Sequence, residues 1–268
     1  MPETTSNTPS FAALLNTVIT EPGRLHEAYT RFHTYSLGNQ LLAWAQCIER
    51  GLELGPMATY AAWQAMGRQV RKGSKALVLC QPVTVRRETV DAETGDVEAI
   101  AFTKFTYRPK WFVLAQTDGQ PYAPPAPPEW NKDLALEGLQ VTETAFDLPD
   151  GNCQGFARGR EVAVSPIAAV PFKTLVHELA HVVLGHTLEH TMVDGAMTPR
   201  DLREVEAESV ALLVLGALNQ SGLEYCRGYI QHWLRGEEIT ERSAQRIFKA
   251  ADAILRAGRV VEADQLAA

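Results

Sequence analysis

Cysteine is scarce in this chain. Its 268 residues hold four, Cys47, Cys80, Cys153 and Cys226, and no two of them form a CxxC pair. That argues against a cysteine-built zinc site and leaves free thiols in a reducing compartment as the expectation. Long apolar runs are also missing. The longest lies within Val210–Leu218, far short of the roughly 20 residues that span a bilayer. The opening MPETTSNTPS has neither a basic nor an apolar signal region, so it reads as a short lead-in. A cytoplasmic protein with no membrane partner is expected. No internal repeat is present. With 46% hydrophobic and 21% charged residues, the composition excludes general disorder, a collagen-like repeat and a coiled-coil rod.

The charge is unevenly spread. The chain is −7 overall, a balance unlike that of a nucleic-acid binder. Residues 24–110, however, carry 12 Lys/Arg against 8 Asp/Glu, or +4, which leaves −11 for the rest. Two modules with different partners are implied. The segment GQPYAPPAPPEW, Gly119–Trp130, marks their boundary, because a proline run forms neither helix nor central strand. The expected division is therefore 1–118, a proline-rich linker 119–134, and 135–268.

Periodicity predicts an α+β protein. In the N-terminal module a helix over Leu25–Leu54 is followed by a short one over Tyr60–Met66. Strands are expected at Ala76–Val85, Phe102–Tyr107 and Trp111–Ala115, with a hairpin turn over Asp91–Glu98. The C-terminal module has strands at Leu139–Phe146 and Glu161–Val164. Helices follow over 172–187, 199–219, 223–235 and 240–257, so this module is mainly helical with a small antiparallel sheet.

The sharpest motif is His177-Glu178-Leu179-Ala180-His181, an HExxH. At i and i+4 of a helix both imidazoles reach one metal ion, and Glu178 reaches water bound to it. The apolar flanks (Leu175, Val176, Val182, Val183) make an accidental burial of these groups costly. A third ligand is required. The next helix offers Glu204, Glu206 and Glu208. Glu204 and Glu208 share a face, so that one can bind metal while the other holds a histidine from behind. Glu206 falls about 160° away and is expected to face elsewhere. His186 and His190 compete for the third position; a polar helix end after Gly185 is the plainer role for His186. The chemistry implied is zinc-assisted peptide hydrolysis with Glu178 as general base; Mn(II) or Co(II) would also suit the ligands. A purely structural site is the rival, and Glu178 argues against it.

In the N-terminal module, Arg68, Arg71, Lys72 and Lys75 cluster around Gly67 and Gly73, just after Tyr60 and Trp63. Cations beside aromatics can track phosphates and stack unpaired bases. A solvated turn next to a core tryptophan is the other reading of the same pattern.

FKTLVHELAHVVLGH followed by REVEAESVALLV resembles zincin metallopeptidases of the ImmA/IrrE type, and most of all the C-terminal domain of ArdC-type antirestriction proteins. That resemblance implies Glu204 as the third ligand and Glu208 behind a ligand histidine. Three further stretches resemble the ArdC-type N-terminal domain: Tyr35-Ser36 with Asn39 and Leu42; Trp63 with Gly67-Arg68, Val70, Lys72-Gly73 and Lys75; and Phe112 with Gln116-Thr117 and Gly119. The family's domain is associated with single-stranded DNA. The resemblance therefore implies Arg68, Arg71, Lys72 and Lys75 on phosphates, and Tyr35, Asn39 and Gln40 as polar contacts at the mouth of a groove. Trp63 is either a stacking platform or core. The implied function is protection of incoming mobile DNA from restriction by a single-strand binder that carries a zinc peptidase. The alternative is a peptidase that cleaves a regulatory or restriction protein, with DNA binding only localising it.

Overall fold

The computed structural model describes residues 10–21, 23–90, 97–148, 152–188, 199–234 and 237–260. In chain order the elements begin α1 (Phe11–Thr20), α2 (Arg24–Phe32), α3 (Leu37–Glu49), β1 (Met57–Thr59), α4 (Tyr60–Ala65), β2 (Arg68–Val70), β3 (Leu77–Val90), β4 (Val97–Val113) and β5 (Thr117–Gly119). They continue α5 (Lys132–Leu139), β6 (Thr142–Glu143), β7 (Gly155–Arg158), β8 (Glu161–Val164), α6 (Pro171–Val183), α7 (Arg200–Ala217), α8 (Leu223–Leu234) and α9 (Glu241–Ala257). The protein is α+β. It forms two units: residues up to Leu41 group with those from Pro125 onward, and Leu42–Pro124 form the other.

The first unit is built around α7. Every residue from Val205 to Ala217 is buried, so this helix is enclosed on all sides by α2, α6, α8 and α9. Three buried polar residues, Glu206, Glu208 and Ser209, interrupt its apolar surface. Helix α6 lies between α7 and the small sheet, which has the order β6-β8-β7. β7 pairs antiparallel with β8, as expected, while the short β6 pairs with it in parallel. β7 is an edge strand.

Helices α1 and α2, which the charge and proline pattern assign to a module ending at residue 118, pack in this unit. Leu14, Leu15, Val18 and Ile19 of α1 are buried, and the helix rests on α7 and α9. Its N-terminus is capped from a distance: the amides of Phe11 and Ala12 donate to the Glu241 carboxylate at 3.2 and 2.9 Å. A carboxylate is stabilised there by the exposed amides and the helix dipole. α2 approaches α7 so closely that a Cβ on Gly216 would stand 2.7 Å from Leu25 Cδ2.

The expected helix over Leu25–Leu54 is two helices. The Tyr35 amide closes a turn on the Phe32 carbonyl at 3.0 Å, and α3 restarts with the Leu37 amide donating to Asp252 Oδ1 at 3.1 Å. The strand expected over Leu139–Phe146 is mostly absent. Asn131 Oδ1 accepts from the Leu134 amide at 3.0 Å and starts α5 inside the expected linker, leaving only Thr142–Glu143 paired.

The second unit is a sheet of order β1-β4-β3, with the short pair β2-β5 beside it. α4 is capped by Thr59 and lays Trp63 into a core with Leu77, Leu79 and Val113. Gln46 fixes α3 to β3 by a two-point bond, donating to the Val78 carbonyl at 2.8 Å and accepting from the Val78 amide at 2.9 Å. The two strands expected at Phe102–Tyr107 and Trp111–Ala115 form one long strand, β4, paired with β3 from Leu77↔Trp111 out to Val90↔Val97. Of the turn expected over Asp91–Glu98, Val97 and Glu98 belong to β4, and residues 91–96 lie outside the described residues. No described helix is long and apolar enough to cross a membrane.

Candidate metal centre and nucleic-acid surface

Helix α6 begins with Pro171 and buries Leu175, Val176, Leu179 and Val182. Burying that stripe turns His177, Glu178 and His181 to its other side, toward α7. His177 Nε2 and His181 Nε2 lie 3.1 Å apart. Glu204 Oε2 from the start of α7 stands 3.5 Å from the first and 3.7 Å from the second. These three residues form the candidate metal-holding cluster among the described residues. Donor atoms bound to a tetrahedral zinc-sized ion stand roughly 3.4 Å apart, so the spacing fits. The other ring nitrogens face further side chains. His177 Nδ1 is 3.2 Å from Glu208 Oε1, and His181 Nδ1 is 3.0 Å from His186 Nδ1. Both Nε2 atoms therefore face each other and a carboxylate, an arrangement that a divalent cation satisfies.

The electrostatics of the bare site agree. Burial opposes protonation of His177, but the Glu204 and Glu208 carboxylates outweigh it and raise its pKa to about 9. Burial pushes Glu178 up to about 7, against the pull of His177 and with added repulsion from Glu204. Burial works to raise Glu204 and Glu208, yet their histidine partners hold both below the usual carboxylate range, with Lys173 adding to the effect at Glu208. Glu178 sits under β7: a Cβ on Gly155 would stand 3.1 Å from its Oε1.

Neither Glu206 nor His186 enters the donor cluster, as the sequence reading favoured. Glu206 nonetheless turns to His186 and not to solvent. It is buried and lies 3.0 Å from His186 Nε2, with Ser243 and Arg246 of α9 on its other side. His186 is not in the donor cluster but behind it, against His181. His190 lies outside the described residues. The reason is tertiary: α9 supplies groups that draw Glu206 inward, and helical spacing carries no sign of them.

The expected DNA contacts divide. Lys72 and Lys75 are exposed on the turn before β3, and no described side chain pairs with either. Arg68 is engaged within the fold. Its Nε donates to Thr117 Oγ1 at 2.8 Å and its guanidinium to the carbonyls of Thr117 and Gln120, pinning β2 to β5. Arg71 pairs with Asp118 at 3.2 Å and donates to the Ala115 carbonyl. Trp63 is 0% exposed and donates Nε1 to the Phe112 carbonyl at 2.8 Å, so it is core and not a stacking platform. Gln40 is likewise buried, donating to the Tyr35 carbonyl at 2.8 Å; Tyr35 and Asn39 are half-buried. All three belong to the first unit, not with the basic turn.

Sequence reasoning passed over Phe105 and Tyr107. They are 65% and 39% exposed on β4, opposite Pro82 and Cys80. Lys104, Arg108 and Lys110 alternate with them, and no acidic residue occurs from Ile100 to Thr117. That acid-free alternation was the available signal. Tyr60, 43% exposed, adds a third open ring beside Gln69, Arg71 and Lys72.

Residues 17–107 match the N-terminal domain of anti-restriction factor ArdC. That stretch is an ArdC-type N-terminal domain. The chain is 26% identical over 229 residues to the uncharacterized protein y4eC of Sinorhizobium fredii (strain NBRC 101917 / NGR234), covering 80% of this chain and 73% of that one. Its fold is similar to crystal structures of the antirestriction ArdC protein from the R388 plasmid. The metal-free form aligns with TM-score 0.51 and 21% identity over 92% of this chain and 94% of that one. The Mn(II)-bound form aligns with TM-score 0.51 and 19% identity over 94% and 99%. At these identities the likeness is one of fold.

Proposed function

We propose that this protein acts as an ArdC-type antirestriction protein: it binds single-stranded DNA, protects incoming mobile DNA from restriction, and carries a divalent-metal peptidase centre. Support for binding comes from the second unit. Its exposed rings are Tyr60, beside Arg71 and Lys72, and Phe105 and Tyr107, on a strand that also carries Lys104, Arg108 and Lys110. Open aromatic faces stack unpaired bases, while the cations follow the phosphates. A duplex hides its base faces and would gain only the charge term.

For the centre, the observation that carries the reading is the convergence of His177 Nε2, His181 Nε2 and Glu204 Oε2. A zinc or manganese ion there would polarise a peptide carbonyl and acidify a water. Glu178, next to the first histidine on the same helix and buried beneath β7, would be placed to take a proton from that water and return it. β7, an edge strand among the described residues and packed over Glu178, offers main-chain groups to an extended peptide. The same convergence favours the second reading, cleavage of a regulatory or restriction protein with DNA binding for localisation.

Fluorescence anisotropy with a labelled single strand, a duplex control and two salt concentrations tests the first reading. Tight, salt-sensitive binding that prefers the single strand is expected; equal or absent binding would remove it. Glu178→Ala separates the two readings, because it should spare metal and DNA binding while abolishing peptide cleavage. Protection from restriction that survives this change belongs to DNA binding alone.

A further inference from the structure

The centre accounts for Glu204 directly and for Glu208 through His177. It leaves His186 and Glu206, whose side chains are 4% and 1% exposed. Two such polar groups are not buried without a compensating arrangement.

The local backbone shows how His186 arrives. Helix α6 ends in a left-handed Gly185, φ +78°. The Gly185 amide bonds to the Val182 carbonyl at 3.1 Å, and the His186 amide bonds to the His181 carbonyl at 2.9 Å. This paired closure brings the residue after Gly185 back over the residue five positions earlier. In most helix ends of this kind that contact is apolar. Here it joins two imidazoles, with Nδ1 to Nδ1 at 3.0 Å. His186 Nε2 is then 3.0 Å from Glu206 Oε2. The Glu206 carboxylate also accepts from Ser243 Oγ and from the Arg246 guanidinium.

The chemistry of the chain sets its direction. The Glu206 carboxylate can only accept, so His186 Nε2 is the donor. A neutral imidazole that is protonated at Nε2 presents a lone pair at Nδ1. His186 Nδ1 therefore accepts, and the proton between the two rings belongs to His181 Nδ1. That leaves the lone pair of His181 on Nε2, the atom 3.1 Å from His177 Nε2. We infer that His186 and Glu206 are positioning residues that hold His181 in the one tautomer able to ligate a divalent ion. The inference rests on the metal reading above. Glu208 faces His177 Nδ1 without an intermediary, at 3.2 Å, and is placed for the same role. The three glutamates of α7 then divide into one at the ion and one behind each histidine. Glu206 serves from another side of the helix because His186 bridges the extra distance.

The test is isothermal titration of the metal-free full-length protein with Zn(II) and with Mn(II), with circular dichroism to check each variant's fold. His186→Leu should weaken metal binding roughly 10–100-fold, the usual effect of removing a group that orients a ligand histidine. His186→Gln, which can accept with its carbonyl and donate with its amide, should restore most of that loss. Wild-type affinity in His186→Leu would overturn the relay, as would equal loss in both variants, which would mark a packing role. No binding by the wild-type protein would instead remove the metal reading itself. Should His186→Leu not fold, proton–nitrogen correlation spectra of the Zn(II)-loaded wild-type protein decide the matter. The Nε2–H form of His186 with the Nδ1–H form of His181 is expected, and the reverse assignment would overturn the proposal.

Discussion

At the scale of single residues, Gly155 shows how tightly the centre is packed. A methyl group there would stand 2.6 Å from Thr174 Cγ2, 2.9 Å from the Ala163 carbonyl and 3.1 Å from Glu178 Oε1. Thr174 and Glu178 both belong to α6, so the glycine sets how near β7 can lie to the HExxH face. Gly155→Ala should cost about 1–3 kcal/mol in a urea melt, the range for overpacking a well-filled site. Peptide cleavage should fall further than metal affinity, because the displaced carboxylate is Glu178 and not a ligand. The thiols give a second residue-scale prediction. Burial pushes Cys47 up to about 11, against the opposing effect of Arg50. Burial also pushes Cys226 up, aided by Glu208, and Cys80 is buried. Cys153 is half-buried. A thiol reagent at pH 8 should titrate one cysteine quickly in the native protein and all four in denaturant.

At the scale of elements, the β3–β4 hairpin and the turn before it carry the binding prediction. Phe105→Ala and Tyr107→Ala should each weaken single-strand binding by about 1–3 kcal/mol per stacked base. Their effect on a duplex should be small. Replacing Lys72 or Lys75 with alanine should act differently, lowering the slope of log affinity against log salt by about 0.7 each. Trp63→Phe tests the assignment of Trp63 to the core. It should lower the melting temperature and leave the affinity of the folded protein unchanged, since the ring is closed off from solvent. The HExxH helix and the following glutamate helix were legible from spacing alone, because an i, i+4 histidine pair flanked by an apolar stripe seldom arises by chance. The hairpin was half legible. Its strands were visible, but Phe105 and Tyr107 resembled ordinary strand residues until the fold showed their rings exposed.

At the scale of the whole molecule, the first unit draws together segments far apart in sequence. Glu241 caps α1 across 230 positions of sequence, and Asp252 caps α3 across 215. Glu241→Ala should cost about 0.5–2 kcal/mol in global stability, measured by denaturant unfolding, through loss of this cap. Increased protease sensitivity near Phe11 should accompany it.

The sequence by itself determined the α+β class, the helical C-terminal part, and the choice of His177, Glu178, His181 and Glu204 as the candidate centre. These follow from local periodicity, from side-chain chemistry and, for Glu204, from family resemblance, none of which depends on distant partners. Tertiary structure decided where α1 and α2 pack, that Trp63 and Gln40 are buried, that Arg68 and Arg71 are tied to neighbouring strands, and that Glu206 turns inward. Most of those outcomes depend on a partner remote in the chain, such as Glu241, Phe112, Thr117, Asp118 or Ser243. A residue's neighbours in sequence carry no record of such a partner, so only the assembled fold could reveal it.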